Sequence, residues 1–571
     1  MRPSPENKPR ALGHLLGLAA LLWLPLCSLA QYNPLAGRDT LTLVRERIES
    51  LPPSAKPTFS IPQPDLSFDG QGLQFQPDSI AYAPRAGAFP VGYEAVPKPV
   101  WERLKNNYLM VGLGAYITPV FRAYVTNGRS TKTHWALQAE HFSSPNGHTD
   151  YANFSEQDVQ ASGRILRERY SLFGRAHFAY QQRNHFADTL VDRWKANENS
   201  VDQVALERQI RQRFFVIELE GGIENNKRDA RLDYRAPLQL KNYTDRRGVR
   251  EWHLGTQPYL NYRISDQWQL KLESTLQYAA LEFNNLDTNR YQAVVQLSPI
   301  LSYRQGPLRL AAGLGLGYAS LTDSSSTRVY PQLQASYQLL PAISPYLVIA
   351  GGMRALDRSR MMADMPYLRE DQWVRPYSED INVKAGIQGH GLGLHYDLAA
   401  TLRSLKGLPV YFGTTQAGVY FGQELAPGYF LYLSEKSFTA AGLEAQLGYT
   451  YKSWETQLRM QYQSYTLDRL PYYFQMPEWQ AQLRTSYLWA NKIRGTLLLN
   501  HYGSRTMGLS PEGNPIEADA YLDLNAAFDY AISQQFSVFC QFNNLLGSAY
   551  ERWIGYRERP LDFRLGGTVS F

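Results

Sequence analysis

The chain has 571 residues, a formal net charge of +6 and a mean hydropathy of −0.40. No apolar run of about 18 residues follows the N-terminal region, which excludes a bundle of membrane-spanning helices. The mild charge carries no basic block and so excludes a nucleic-acid partner, while 39 Tyr, 24 Phe, 11 Trp and 42 Gly suit a strand-rich chain with aromatic belts.

In chain order, Arg2, Lys8 and Arg10 precede an apolar stretch from Leu15 to Leu26, and Ser28-Leu29-Ala30 supplies small residues for cleavage. Residues 1–30 are therefore expected to be a secretory signal peptide, with a mature chain of charge +4 starting at Gln31. A lipoprotein anchor at Cys27 is disfavoured because Leu26 stands where a small residue is wanted. Cys540 is then the sole mature cysteine, which precludes an internal disulfide. It aligns with Phe536, Val538 and Phe542 as a small outward-facing residue. Residues 31–105 form a second segment, with eleven prolines between Gln31 and Val100. Proline removes ladder donors and breaks helix interiors. Beyond one short helix at 41–50, this segment is expected to be extended, in the periplasm or inside a barrel lumen.

From Asn106 onward the period changes. Trp268, Leu270, Leu272, Leu276 and Tyr278 alternate with Gln269, Lys271, Glu273, Thr275 and Gln277, and Trp454 to Gln463 and Trp479 to Trp489 repeat the pattern. Strand side chains point to opposite faces with period two, so each such segment has one apolar and one polar face. Counting them predicts about 22 strands over 106–571, among them 391–412, 428–451, 493–507 and 536–551. Tight links such as Gln305-Gly306-Pro307 and Lys452-Ser453 alternate with long ones near 143–158, 185–208, 357–379, 467–478, 507–517 and 551–561. This is the asymmetry of an all-β transmembrane antiparallel barrel, with short turns on one rim and long loops on the other. The last strand puts Phe563, Leu565, Gly567, Val569 and Phe571 outward and Asp562, Arg564, Gly566, Thr568 and Ser570 inward.

The end of the chain resembles the TonB-dependent receptor barrels. The resemblance is carried by Tyr521-Leu522-Asp523-Leu524-Asn525, by Phe536 to Phe539, by Asn543, Asn544 and Tyr550 before the closing strand, and by the terminal Phe571. Leu113 to Pro119, His141 to Ser144, Phe154-Ser155 and Gln212 to Phe215 extend it upstream. It implies a barrel of about 22 strands, a Gram-negative outer-membrane location, assembly by the barrel-assembly machinery, and transport of a bound solute. Asn543, Asn544, Tyr550 and Phe571 would be its barrel-closure signature. The departure lies at the other end, where the proline-rich segment is too short and irregular for the family's plug domain. A plug-less branch is expected. Asp39 to Val44 is a faint match to the box that binds a periplasmic energy-coupling partner, but so short a pattern reads better as an alternating lead-in to the helix.

Two constellations are candidates for chemistry. His141, His148, Asp150 and His185 cluster near predicted long-loop ends and carry metal-ligand groups, though in no standard spacing. The loops holding Met361, Met362, Met365, Tyr367, Trp373 and Tyr377, and Tyr472, Tyr473 and Phe474, carry the Met and aromatic side chains enriched at binding surfaces. They either meet a ligand or partner, or fold inward to pack the barrel mouth. Inward Arg309, Arg459, Arg484 and Arg564, with Glu273 and Glu455, make a charged lumen that either selects solutes or pairs internally. No G-x-S-x-G, H-E-x-x-H or P-loop occurs, so no enzyme and no cofactor is expected. Two functions remain: a receptor or transporter barrel that binds or passes a solute, or a scaffold barrel that docks a surface lipoprotein or another outer-membrane partner.

Overall fold

The computed structural model describes residues 105–571, apart from 129, 188–202, 228, 284–288, 341 and 374. The signal peptide, the proline-rich segment, the question of a plug and the faint coupling box fall outside the described residues.

One antiparallel sheet closes on itself. It contains 23 strand segments, of which Val249–Thr256 and Tyr259–Arg263 follow one another between the same two neighbours, Leu232–Asp245 and Trp268–Phe283. They form one stave, and the barrel has 22. The seam joins Tyr108–Gly114 to Asp562–Ser570 in unbroken register, from Tyr108↔Ser570 to Gly114↔Arg564. The Phe571 amide donates to Asn107 O at 3.0 Å, and its carbonyl accepts from the amides of Asn106 (3.1 Å) and Asn107 (2.9 Å). Closure satisfies every edge, which hydrocarbon demands. The even number of staves puts both ends of the sheet on the rim of short turns.

The outer face is apolar. Val111, Leu113, Phe563 and Leu565 around the seam are each 45–56% exposed, as a surface made for lipid requires. Aromatic rings gather at two heights. Trp268, Tyr337, Tyr451, Trp454, Trp489 and Tyr530 lie toward the short turns, while Trp252, Tyr278, Tyr291, Tyr318 and Trp479 lie toward the long loops. Along one strand, Trp268 and Tyr278 are separated by about ten residues, or roughly 25 Å of height for a stave tilted by about 40°. That is the thickness of an outer-membrane apolar band. Cys540 shares the outward face with exposed Phe536 and Val538.

The inner face is tailored by glycine. Gly315, Gly317 and Gly351 make room for the fully buried ring of Tyr330. At the seam, Phe539 lies over Gly112 and Gly566, where an added Cβ would meet its ring at 2.8 and 2.5 Å. Of the inward charges, Arg564 pairs with Asp562 (2.9 Å) and Glu273 with Lys271 (2.9 Å). Arg309, Arg459 and Arg484 make no ion pair with another described residue.

Four predicted strands ran too far. The stave expected over 391–412 turns at Leu392-Gly393 and ends at Lys406, leaving the barrel at Gly407, whose φ of +74° sharply redirects the chain. The stave expected from 428 begins at Phe438, and the one expected to 507 ends at Tyr502. Likewise 536–551 ends at Asn543. In the first three cases the apolar alternation continues past the stave because the chain enters a second, smaller sheet.

Candidate functional site

That second sheet belongs to a cap built by the long loops. Its strands run Phe430–Glu435, Leu408–Gly413, Arg505–Leu509, Pro515–Ala518. The first two pair antiparallel from Leu408↔Glu435 to Gly413↔Phe430, the last two pair antiparallel, and a single parallel bridge, Gly413↔Gly508, joins the halves. A short hairpin, Gly418–Tyr420 with Gln423–Leu425, folds beside them. One core holds Leu356, Met361, Met362, Met365, Leu368, Phe430, Tyr432, Met507, Ile554 and Tyr556 from the cap against Phe214, Tyr243, Val249, Leu281 and Phe283 from the wall. These wall residues are inward-facing, so the cap packs against the lumenal side of its rim. A second core joins Val410, Phe412, Leu431, Leu433, Leu470, Phe474 and Leu509.

A two-turn helix, Arg358–Asp364, anchors the cap to the wall. Asp357 caps it, accepting from the Arg360 amide (2.9 Å) and pairing with Lys241 Nζ of the wall (2.7 Å). Burial opposes the charge on Asp357, but the Lys241 ammonium and the donors around it outweigh burial and hold its carboxyl well below the usual carboxylate range. Glu251, also from the wall, accepts the Arg358 amide with both oxygens (3.1 Å each). The Arg358 guanidinium, fully buried, donates to the carbonyls of Gln372 (2.7 Å) and Arg369 (3.3 Å). A buried charge is tolerated only with such partners.

Between cap and wall lies a cavity of about 1030 Å³. The wall contributes Ala319, Leu321, Ser326, Arg328 and Met353; the cap contributes Gln372, Trp373, Arg375, Tyr377 and Tyr432, with Lys406, Lys436 and Arg469 at its edge. Trp373 is flanked by the guanidinium groups of Arg375 (4.5 Å) and Arg290 (5.0 Å). A β-bulge opposite Gly351 breaks the register between Glu379 and Ile381, so two consecutive acids reach inward. Glu379 meets Arg403 (2.8 Å) and Arg354 (3.8 Å), and Asp380 meets Lys406 (3.1 Å) and Arg328 (3.4 Å).

The sequence candidates separate. Met361, Met362, Met365 and Phe474 are buried at 0–2% exposure, which corrects their reading as ligand-contact side chains: they are core. Tyr367 stacks on Tyr556 at 3.5 Å, and Tyr473 packs edge-on to Tyr465 (4.9 Å) and against Phe438 (4.8 Å). Tyr472 packs at the margin of the second core. Trp373 and Tyr377 alone of that group line the cavity. The histidines do not converge. His141 Nε2 lies 3.0 Å from Ser143 Oγ, His148 Nε2 2.9 Å from Arg557 O, and His185 Nδ1 2.9 Å from Gly428 O. His185 is buried and stacked on Tyr429 at 4.5 Å. Burial, helped by the charge on Arg247, pushes its pKa down to about 3. Among the described residues, no group of three His, Cys, Asp or Glu is placed to hold a metal ion, so His141, His148, Asp150 and His185 form no joint site.

The barrel-closure residues have separate tasks. Asn543 Nδ2 donates to Asp562 across the last strand pair (3.3 Å). Asn544 takes a left-handed turn (φ +49°), accepts from the Ser548 amide (3.1 Å) and donates to the carbonyls of Ser548 and Arg559 (2.9 Å each). Asparagine suits that position because its amide serves the turn it starts. Tyr550 stacks on Tyr521 at 4.0 Å. The residues that sequence reasoning missed are the cavity cations Arg328, Lys406, Lys436 and Arg469 and the anchors Lys241, Glu251 and Asp357. Their only sequence signal is a charge at an inward position near a strand end.

No family model matches the chain, and no curated protein does. Its fold is similar to that of solved outer-membrane receptors. The FrpB iron transporter from Neisseria meningitidis matches with a TM-score of 0.63 at 10% identity, over 82% of this chain and 83% of that one. FpvA from P. aeruginosa, bound to heterologous pyoverdines, matches with a TM-score of 0.61 at 13% identity, over 81% and 71%. The siderophore receptor PirA from Acinetobacter baumannii matches with a TM-score of 0.60 at 10% identity, over 81% and 80%. The fold is that of the TonB-dependent receptor barrels.

Proposed function

We propose that this receptor-fold barrel sits in a Gram-negative outer membrane after signal-peptide cleavage, long loops outward, and binds a solute at its mouth for passage into the lumen. The observation that carries the reading is the cavity of about 1030 Å³ between the folded cap and the inner wall. Its volume suits a small-molecule ligand, and its mixture of aromatic rings with a few converging polar groups is the chemistry of such sites. The solved barrels of the same fold include an iron transporter and siderophore receptors, which supports transport over catalysis. A scaffold barrel that docks a surface lipoprotein is the second reading. It draws on the two packed cores of the cap, which give the loops a fixed outer shape.

Reconstitution separates the two. Solute flux into liposomes carrying the purified chain, reduced by the double substitution Trp373→Ala and Arg375→Ala, supports uptake. Absence of flux together with a stable co-purifying outer-membrane partner supports docking and overturns uptake.

A further inference from the structure

The stave Thr133–Ser144 carries a hydroxyl and an imidazole on its outer face, next to the rim of long loops. Its inward residues are fixed by their partners. Glu140 pairs with Arg122 (3.0 Å), the Phe142 ring packs on Phe154 (5.0 Å), and Ser144 is buried against Thr118. Alternation therefore turns His141 and Ser143 outward, onto the face that exposes Trp135 and Leu137. There His141 Nε2 lies 3.0 Å from Ser143 Oγ. On the next stave, Glu156 and Asp158 bond Arg183 and His177 inside the barrel, which leaves Ser155 and Gln157 outward as well. The register sets Gln157 directly across from His141, and Ser155 directly across from Ser143. Such cross-strand pairs have Cβ atoms about 5 Å apart.

This polar group stands at the upper edge of the apolar band. Ser143 lies about eight residues beyond Trp135, or roughly 20 Å of height for a stave tilted by about 40°. It is the penultimate residue of its strand, so water reaches it from the rim. The outward row next to it, on the side of the short turns, is apolar: Val159, Phe178 and Ile217 are all exposed. A lipid acyl chain lying along that row brings its ester linkage to Ser143.

We propose that Ser143, His141 and Gln157 form an acyl-hydrolase triad that acts on the esters of membrane lipids. His141 Nε2 accepts the Ser143 Oγ proton, and the Gln157 carbonyl is placed to accept from Nδ1–H and hold that tautomer, the role an amide plays in Cys-His-Asn sites. Ser143 Oγ attacks the ester carbonyl carbon, its proton passes to His141, and the Ser155 hydroxyl is placed to donate to the oxyanion that forms. Collapse breaks the bond from the carbonyl carbon to the alkoxy oxygen. His141 gives its proton to the departing alcohol, and the acyl group stays on Ser143. Water then attacks this acyl ester, His141 takes the water's proton and returns it to Ser143 Oγ, and a fatty acid leaves. The site needs no G-x-S-x-G turn, because two neighbouring strands present its groups. It lies outside the wall and is independent of solute uptake through the lumen.

The test uses the full chain purified in detergent, with phosphatidylethanolamine and phosphatidylglycerol in mixed micelles as lipid esters and p-nitrophenyl acetate as a soluble one. Fatty acid release from the lipids is expected, at least tenfold faster than acetate release at equal ester concentration. Ser143→Ala and His141→Ala should each lower it by about a thousandfold or more, and Gln157→Ala by about tenfold. A fluorophosphonate probe should label Ser143, read by peptide mass spectrometry, and should fail to label the His141→Ala chain. These side chains belong to neither core of the cap, and migration of unheated samples in detergent gels shows that each variant keeps a folded barrel. Absence of lipid hydrolysis, hydrolysis unchanged in Ser143→Ala, or attachment of the probe to another residue overturns the triad and leaves the pair as a surface hydrogen bond. Acetate released as fast as fatty acid overturns the assignment to lipid esters.

Discussion

Replacing Glu435 with alanine should open the cap and leave the barrel intact. Glu435 ends the cap strand Phe430–Glu435 and is fully buried. Its Oε1 accepts from the amides of Arg469 (3.0 Å), Asp468 (3.3 Å) and Ser437 (3.3 Å), and its Oε2 from Leu470 (2.9 Å). One carboxylate therefore ties the loop at 407–437 to the loop at 468–478. Alanine leaves four amides without it. The buried Leu470 amide costs about 1–3 kcal/mol as an orphan, and the three that water can reach cost roughly 0.5–1 kcal/mol each. The total is about 2.5–6 kcal/mol, and about 3 kcal/mol is already roughly a 150-fold rise in local opening. Hydrogen exchange reads this directly. The amides of Arg469 and Leu470 should exchange at least a hundredfold faster in Glu435→Ala, while amides within Trp454–Leu467 keep their protection. Glu435→Gln should fall between, since its amide group still accepts through one oxygen but turns donors toward a neighbouring N–H. Unchanged exchange at Leu470 in the alanine variant would refute the assignment of Glu435 as the tie between the loops.

Three further outcomes are expected. Lys241→Met leaves Asp357 buried without its cation, at a cost of about 3–5 kcal/mol to docking of the helix, and adding Asp357→Asn should recover much of it; limited proteolysis of the cap in the single and double variants measures both. Because burial lowers the His185 pKa to about 3, the unfolded cap binds more protons than the folded one between about pH 6.5 and 3. Cap stability should therefore be full above pH 6.5 and fall as pH is lowered through that window, and His185→Gln should flatten the fall as followed by hydrogen exchange. At the seam, a Cβ on residue 566 would collide with Val111 O and lie 2.5 Å from Phe539 Cζ, so Gly566→Ala should cost at least about 1–3 kcal/mol of barrel stability in urea titration. Phe539→Ala should rescue it only in part, because the carbonyl contact remains; complete rescue would show that the ring alone sets the requirement for glycine.

The barrel was legible in the sequence because its physics is local. A stave between lipid and lumen must alternate every two residues, so Trp454 to Gln463 announces a strand and its facing without knowledge of any neighbour. The same holds for the seam, where Phe563 and Leu565 are exposed and Asp562 is buried, as their alternation implies. The mouth was not legible, because its physics is non-local. Leu408–Gly413 and Arg505–Leu509 carry the alternation of a stave, yet they pair with Phe430–Glu435 and Pro515–Ala518 instead of continuing the barrel. A period of two states that a segment is a strand and leaves its partner open. The buried fate of Met361, Met362 and Met365 depends on wall residues such as Phe214, Tyr243 and Phe283, more than 70 positions away. The cavity cations likewise come from strands and loops with no common motif, and a bulge at Asp380 turns an extra acid among them. The sequence alone determined that this chain forms a membrane barrel and which way each stave faces. Only tertiary packing decided that its long loops fold into a lid with a cavity beneath it, because that choice is made by contacts between residues far apart along the chain.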